Sequence, residues 1–148
     1  VRGPNNIVIE VVGFEDSRQN KKTVGHVRNA YGMKTADVIT ETNIVEWITN
    51  ALKSELKNAG YAVIETAENK LQGEILKVYC EALLNYEGEV MMKVSLRKGN
   101  EMLLDKLYSG KSTKLNLGST AKSYGATLET SLQQAMIQVV SDVDRALQ

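Results

Sequence analysis

The stretch Leu76-Lys77-Val78-Tyr79-Cys80-Glu81-Ala82-Leu83-Leu84-Asn85-Tyr86-Glu87-Gly88-Glu89-Val90-Met91-Met92-Lys93-Val94-Ser95-Leu96-Arg97-Lys98-Gly99-Asn100 decides the fold. Its hydrophobic period is two. In a long strand from about Leu71 to Leu84, the side chains of Leu76, Val78, Cys80, Ala82 and Leu84 point one way. Lys77, Tyr79 and Glu81 point the other, so one face is buried and one is wet. Asn85-Tyr86-Glu87-Gly88 reads as a turn, and Glu89–Lys98 resumes the alternation with Val90, Met92, Val94 and Leu96 inward. Lys98-Gly99-Asn100 is a tight reversal in which glycine supplies the positive φ, leading into a third strand over Glu101–Ser112. The product is an antiparallel meander.

Outward from this centre the period changes to that of a helix. Ile44, Ile48, Leu52, Leu56 and Ala59 form an i, i+4 row that predicts a helix over roughly 42–59, with Thr40 or Thr42 as N-cap and Gly60 as its stop. Tyr61–Glu65 then reads as a short strand and Thr66–Lys70 as a polar turn. At the other end Tyr124, Leu128, Leu132, Ala135, Met136, Val139, Val140, Val143 and Leu147 make one apolar stripe. Ser119, Thr120 and Ser123 are candidate caps, and Gly125 weakens the helix start. The chain opens on a β-branched run, Ile7–Gly13, which predicts a mostly buried strand. Between Asp16 and Thr40 the pattern is least regular: Thr23–Ala30 suggests a short edge strand, with turns at Gln19–Lys22 and Tyr31–Lys34. The predicted class is α+β in two layers, a mostly antiparallel mixed sheet with two amphipathic helices packed on one face. Residues 1–6 read as a flexible leader at a truncated N-terminus and 7–148 as a single domain.

Composition narrows the function classes. The 148 residues carry 18 Lys+Arg against 18 Asp+Glu, which argues against the broadly basic footprint of phosphate-driven nucleic-acid binding. One His and one Cys give no basis for a zinc site or a disulfide framework, so no metal, cofactor or catalytic residue is assigned. No apolar run is long enough to span a bilayer. Charge is uneven in one place: between Lys93 and Lys122 seven cations face only Glu101 and Asp105, a net +5. Such a hairpin either touches an anionic surface or protects a sheet edge from pairing.

Each residue that could carry chemistry also has a plain structural reading. Ser109-Gly110-Lys111-Ser112 resembles the end of a phosphate loop, but the earlier glycine that loop requires is Asp105 here. His26 has no evident partner to orient it as a base. Cys80 falls on the inward face of a strand, where burial makes a thiol inert. Trp47 flanks the stripe of the first helix, as a core-edge residue or a contact. Asp16 and Arg18 can pair across a turn or face a partner. Candidate interaction residues are therefore Asp16, Arg18, Lys98, Lys106 and Lys111.

The order of motifs is similar to a known family. Asp16-Ser17-Arg18 follows an apolar strand, Val24-Gly25 comes next, and the first helix ends in Leu52-Lys53-Ser54-Glu55-Leu56-Lys57-Asn58-Ala59-Gly60-Tyr61-Ala62-Val63. Leu104-Asp105-Lys106-Leu107-Tyr108-Ser109-Gly110 precedes a helix bearing Leu128, Leu132, Ala135, Val139, Val140 and Asp142. Together these resemble the YajG-like lipoproteins of Gram-negative bacteria. The resemblance implies an exported domain on the periplasmic face of the envelope, an outer-membrane lipoprotein whose lipid-bearing Cys precedes Val1. Fold-level analogy with the amino-terminal part of TolB and with envelope transport lipoproteins implies a docking module.

The expected function is thus a non-enzymatic binding module for an envelope protein or an anionic envelope component, not for nucleic acid. The alternative is a small-ligand carrier with a pocket between the C-terminal helix and the sheet, lined by Met91, Met92 and Met136.

Overall fold

The computed structural model describes residues 7–28, 31, 33–82, 84–116 and 121–148. The expected leader, the candidate caps Ser119 and Thr120, and Gly32 in the expected turn lie outside the described residues. In chain order the elements are β1 (Val8–Asp16), β2 (Thr23–Arg28), β3 (Lys34–Ile39), α1 (Ile44–Asn58), β4 (Ala62–Val63), β5 (Asn69–Ala82), β6 (Asn85–Lys98), β7 (Glu101–Leu115) and α2 (Ala121–Ala146). The seven strands form one mixed sheet with both helices on the same face, which is the predicted class.

β5 organises the sheet. One of its edges pairs antiparallel with β6 along its whole length, and β6 pairs antiparallel with β7. Its other edge is shared by two collinear strands: β1 runs parallel to the first half, to Asp16↔Ile75, and β2 runs parallel to the far end, from Gly25↔Cys80. β2 is therefore an internal strand. The edge beyond it is β3, which pairs antiparallel with β2 and was expected to begin as a turn. Lys34, Ala36 and Asp37 have low strand propensity, and it is the exposed ladder edge of β2 that recruits them.

Two bulges explain where the alternation departs from expectation. In β5 the register shifts between Ile75 and Lys77, so Leu71 and Ile75 are inward on one side and Val78, Cys80 and Ala82 on the other, while Leu76 turns outward. In β1 the shift falls between Val11 and Gly13, at a glycine with φ of 131°, and the strand continues to Asp16 with Phe14 buried and Val12 exposed. Leu84, expected inward, is 82% exposed beside the hairpin connection. The expected turn at Asn85–Gly88 is instead the start of β6. Tyr86 is fully buried there and meets Tyr124 edge to face, with ring centroids 5.1 Å apart.

α1 begins at Asn43, whose side chain accepts the Glu46 N–H at 3.1 Å; Thr40 instead accepts the N–H of Thr42 in the preceding turn. Asparagine wins the cap because it stands directly before the first helical residue. Gly60 ends the helix at φ 96°, as expected. α2 lies on β6 and β7 at two glycines. A Cβ on Gly110 would come 1.8 Å from the Ser131 carbonyl oxygen, and one on Gly88 would come 2.9 Å from Thr127 Cγ2. This close seat brings Leu132, Ala135, Met136, Val139 and Val143 into a core with Met92, Val94 and Leu96.

Candidate functional site

Asp16 and Arg18 are brought together, in the loop that carries the chain from β1 to β2 along the edge of β5. The guanidinium makes a fork onto the carboxylate, Nε to Oδ1 at 2.9 Å and Nη2 to Oδ2 at 2.8 Å. Nη2 also donates to the Lys21 carbonyl at 2.9 Å. The Arg18 hydrogen bonds hold the Asp16 carboxyl below its usual pKa. With their side chains only 6% and 10% exposed, Arg18 and Asp16 act as a clip on this loop and present little to a partner.

The lysines of the basic hairpin are not brought together. Lys106 reaches toward α2 and pairs with Asp142 at 3.0 Å, which also accepts the Tyr108 hydroxyl and pairs with Arg145. Burial raises the Asp142 pKa, but the Tyr108 and Lys106 hydrogen bonds outweigh it and hold the carboxyl low. Lys111 is on the opposite side of the sheet, 3.9 Å from Glu89. Lys98 sits at the end of β6, by the Gly99 reversal. The +5 of the segment is spread over two faces and partly neutralised by acids from β6 and α2.

The remaining singled-out residues take structural places. Ser109–Ser112 is extended strand within β7: Gly110 lies under α2 and the Ser112 hydroxyl donates to the Thr127 carbonyl at 2.7 Å, so this segment does not form a phosphate loop. Cys80 is fully buried, and burial pushes its thiol up to about 11. Met92 and Met136 are fully buried in the α2 seam and Met91 is on the other face of β6, so the expected methionine-lined pocket is absent from this place. His26 does have partners, which come from strand register and no sequence spacing could have shown. Nδ1 shares a hydrogen bond with the Tyr79 hydroxyl, and Nε2 is 3.2 Å from Asp37 Oδ1. Both ring nitrogens are occupied, and the imidazole ties the β2–β3 edge to β5.

Two surfaces emerge instead. The first is the sheet face away from the helices. Glu89 stands at its centre, bound by Lys77 at 2.7 Å and the Ser109 hydroxyl at 2.7 Å, with Lys111 beside it; the Lys77 bond, then that of Ser109, holds its pKa low. Lys93 and Asp105 stand 3.8 Å apart, and Lys70 pairs with Glu10 at 2.8 Å, in the same alternating manner. Leu76, Met91 and Leu107 lie among these charges. The second surface is a cleft of about 300 Å³ where the N-terminal turns of both helices meet β2 and β3. Val24, Val38, Ile44, Tyr124 and Leu128 wall it, and at its rim the Trp47 indole N–H donates to Glu129 at 3.0 Å.

No group of three or more His, Cys, Asp or Glu among the described residues is placed to hold a metal ion, and no helix among them is long and apolar enough to cross a membrane.

The family model Lipoprotein_16, described as uncharacterized lipoprotein, matches residues 2–147. No functionally curated protein matches the chain. Among solved structures, protein XCC0632 from Xanthomonas campestris, of family DUF330, superposes with a TM-score of 0.71 at 11% identity, covering 99% of this chain and 92% of that one. The hypothetical protein CT253 from Chlamydia trachomatis gives 0.64 at 14% identity over 97% and 96% of the two chains. A minor lipoprotein from Acinetobacter baumannii gives 0.57 at 7% identity over 93% and 92%. At such identities these likenesses show the fold alone.

Proposed function

Starting from the premise that the chain belongs to a family of uncharacterized lipoproteins, we propose that it is a non-catalytic docking module, held at the periplasmic face of the outer membrane by an N-terminal lipid and offering the helix-free face of its sheet to an envelope protein. One observation carries the reading: seven strands are covered by helices on one side only, and the other side is an ordered array of alternating charges around Glu89 with apolar side chains between them. Paired charges of both signs suit a protein surface of complementary pattern, where they set register, better than a uniformly anionic lipid surface. Topology supports the same geometry. β1 enters at one end of β5 and β2 lies at the other, so a tether preceding β1 leaves the far end of a strand roughly 45 Å long directed away from the anchor.

The test uses the full-length protein in its native host. Palmitate labelling should show it lipidated, and added protease should reach it only after the outer membrane is permeabilised. A photo-crosslinking residue at Met91, on the helix-free face, should give a discrete adduct that one at Ile137, exposed on α2, does not. Equal adducts from both positions, or an unlipidated cytoplasmic protein, would overturn the proposal.

A further inference from the structure

The cleft between the helix N-termini and the β2–β3 edge contains a glycine that packing does not demand. Gly88 and Gly110 are required, because α2 lies where their side chains would be; a Cβ on Gly125, inside α2, meets no atom within 4 Å. Glycine is a poor helix residue, and alanine there would favour the helix without a clash. Gly125 lines the cleft and leaves beside it a space that only a longer side chain would fill. The lining is apolar, with the hydroxyls of Thr40 and Thr42 at the edge, and among the described lining residues Glu129 is the one carboxylate and there is no lysine or arginine. The Trp47 indole holds that carboxylate at the rim and sets an aromatic surface beside it.

We propose that this cleft is a binding site for a small amphiphile with a compact apolar body and a cationic head group, the body against Val38, Ile44 and Leu128 and the head at the rim, over the Trp47 ring and beside the Glu129 carboxylate. The volume is at the lower end of ligand pockets, which suits a short chain or a single ring. At the rim, the aromatic face next to the Glu129 carboxylate favours an ammonium group. This site is separate from the sheet face proposed for docking and stands or falls without it.

Trp47 is the protein's single tryptophan, so its fluorescence reports the cleft directly. The probe is hexyltrimethylammonium, below its micelle concentration, compared with hexyl sulfate and hexanol. The expected result is a saturable change with the cation, no matching response to the sulfate, and binding weakened about tenfold in Glu129→Gln. Gly125→Leu, which fills the cleft while favouring the helix, should abolish the response with the circular dichroism unchanged. If Gly125→Leu misfolds, Gly125→Met, whose longer unbranched side chain can also reach into the cleft, provides the same test. Equal response to cation and anion, undiminished binding in the folded Gly125 variants, or no saturable change would each overturn the proposal.

Discussion

Arg18 and Asp16 form a two-pronged ion pair at the point where one edge of β5 passes from β1 to β2. The pair closes a loop between two collinear strands, so each partner's burial depends on the other. Asp16→Asn should destabilise the domain by about 2–3 kcal/mol, because it leaves a buried guanidinium without its counter-ion. The pH dependence has a definite sign. Asp16 has a folded pKa below its ordinary 3.8, so its contribution is present above that value and is lost as pH falls through the folded pKa. Chemical denaturation between neutral and acid pH should show a shallower acid loss in Asp16→Asn than in wild type, and an unchanged slope would refute the role.

Gly110 and Gly88 should differ in their tolerance of alanine. On Gly110 the new methyl meets backbone, the Ser131 carbonyl at 1.8 Å and the Ala135 N at 2.8 Å, so α2 itself must lift. On Gly88 it meets the Thr127 methyl and Ser131 hydroxyl, which can turn aside. Expected losses are about 3 kcal/mol or more for Gly110→Ala and about 1 kcal/mol for Gly88→Ala, read from urea midpoints. The reverse order would contradict the seating of α2.

Cys80 should resist a thiol reagent at pH 8 for as long as the domain stays folded. It is fully buried and its thiol is pushed up to about 11, so thiolate is scarce and access requires opening of the β5–α2 seam. Labelling should track urea unfolding, and fast labelling of native protein would show that seam to be open.

These features were unequally legible in sequence. The α2 stripe, the α1 row, the Gly60 stop and the Gly99 reversal follow from period and glycine chemistry, and the structure has them where expected. Leu76 was misplaced because a bulge adds one residue to an alternation, and no residue type announced it between Ile75 and Lys77. Asn85–Gly88 has the composition of a turn, yet Tyr86 and Gly88 are there for the core and for α2. The partners of His26 and the splitting of Lys106 from Lys111 depend on register and on which face a residue takes, so they appear only once strands are paired.

The basic segment should bind anionic vesicles no better than the rest of the surface. Lys106 is engaged by Asp142 and Lys111 stands beside Glu89 on the other face, so no single patch concentrates the charge. In sedimentation with phosphatidylglycerol vesicles, the unlipidated domain and its Lys98→Glu/Lys111→Glu variant should bind alike at low and high salt. A salt-sensitive loss in the variant would restore the hairpin as a membrane contact.

The central claim is that the helix-free face around Glu89 receives the partner. It is tested most directly by the crosslink from Met91 in cells carrying Glu89→Lys, which reverses the charge that Lys77 and Lys111 share, alongside cells carrying Lys106→Gln on the helix side. The account predicts that Glu89→Lys removes the Met91 adduct while Lys106→Gln leaves it intact. An adduct that survives Glu89→Lys in a folded, normally abundant protein would contradict it.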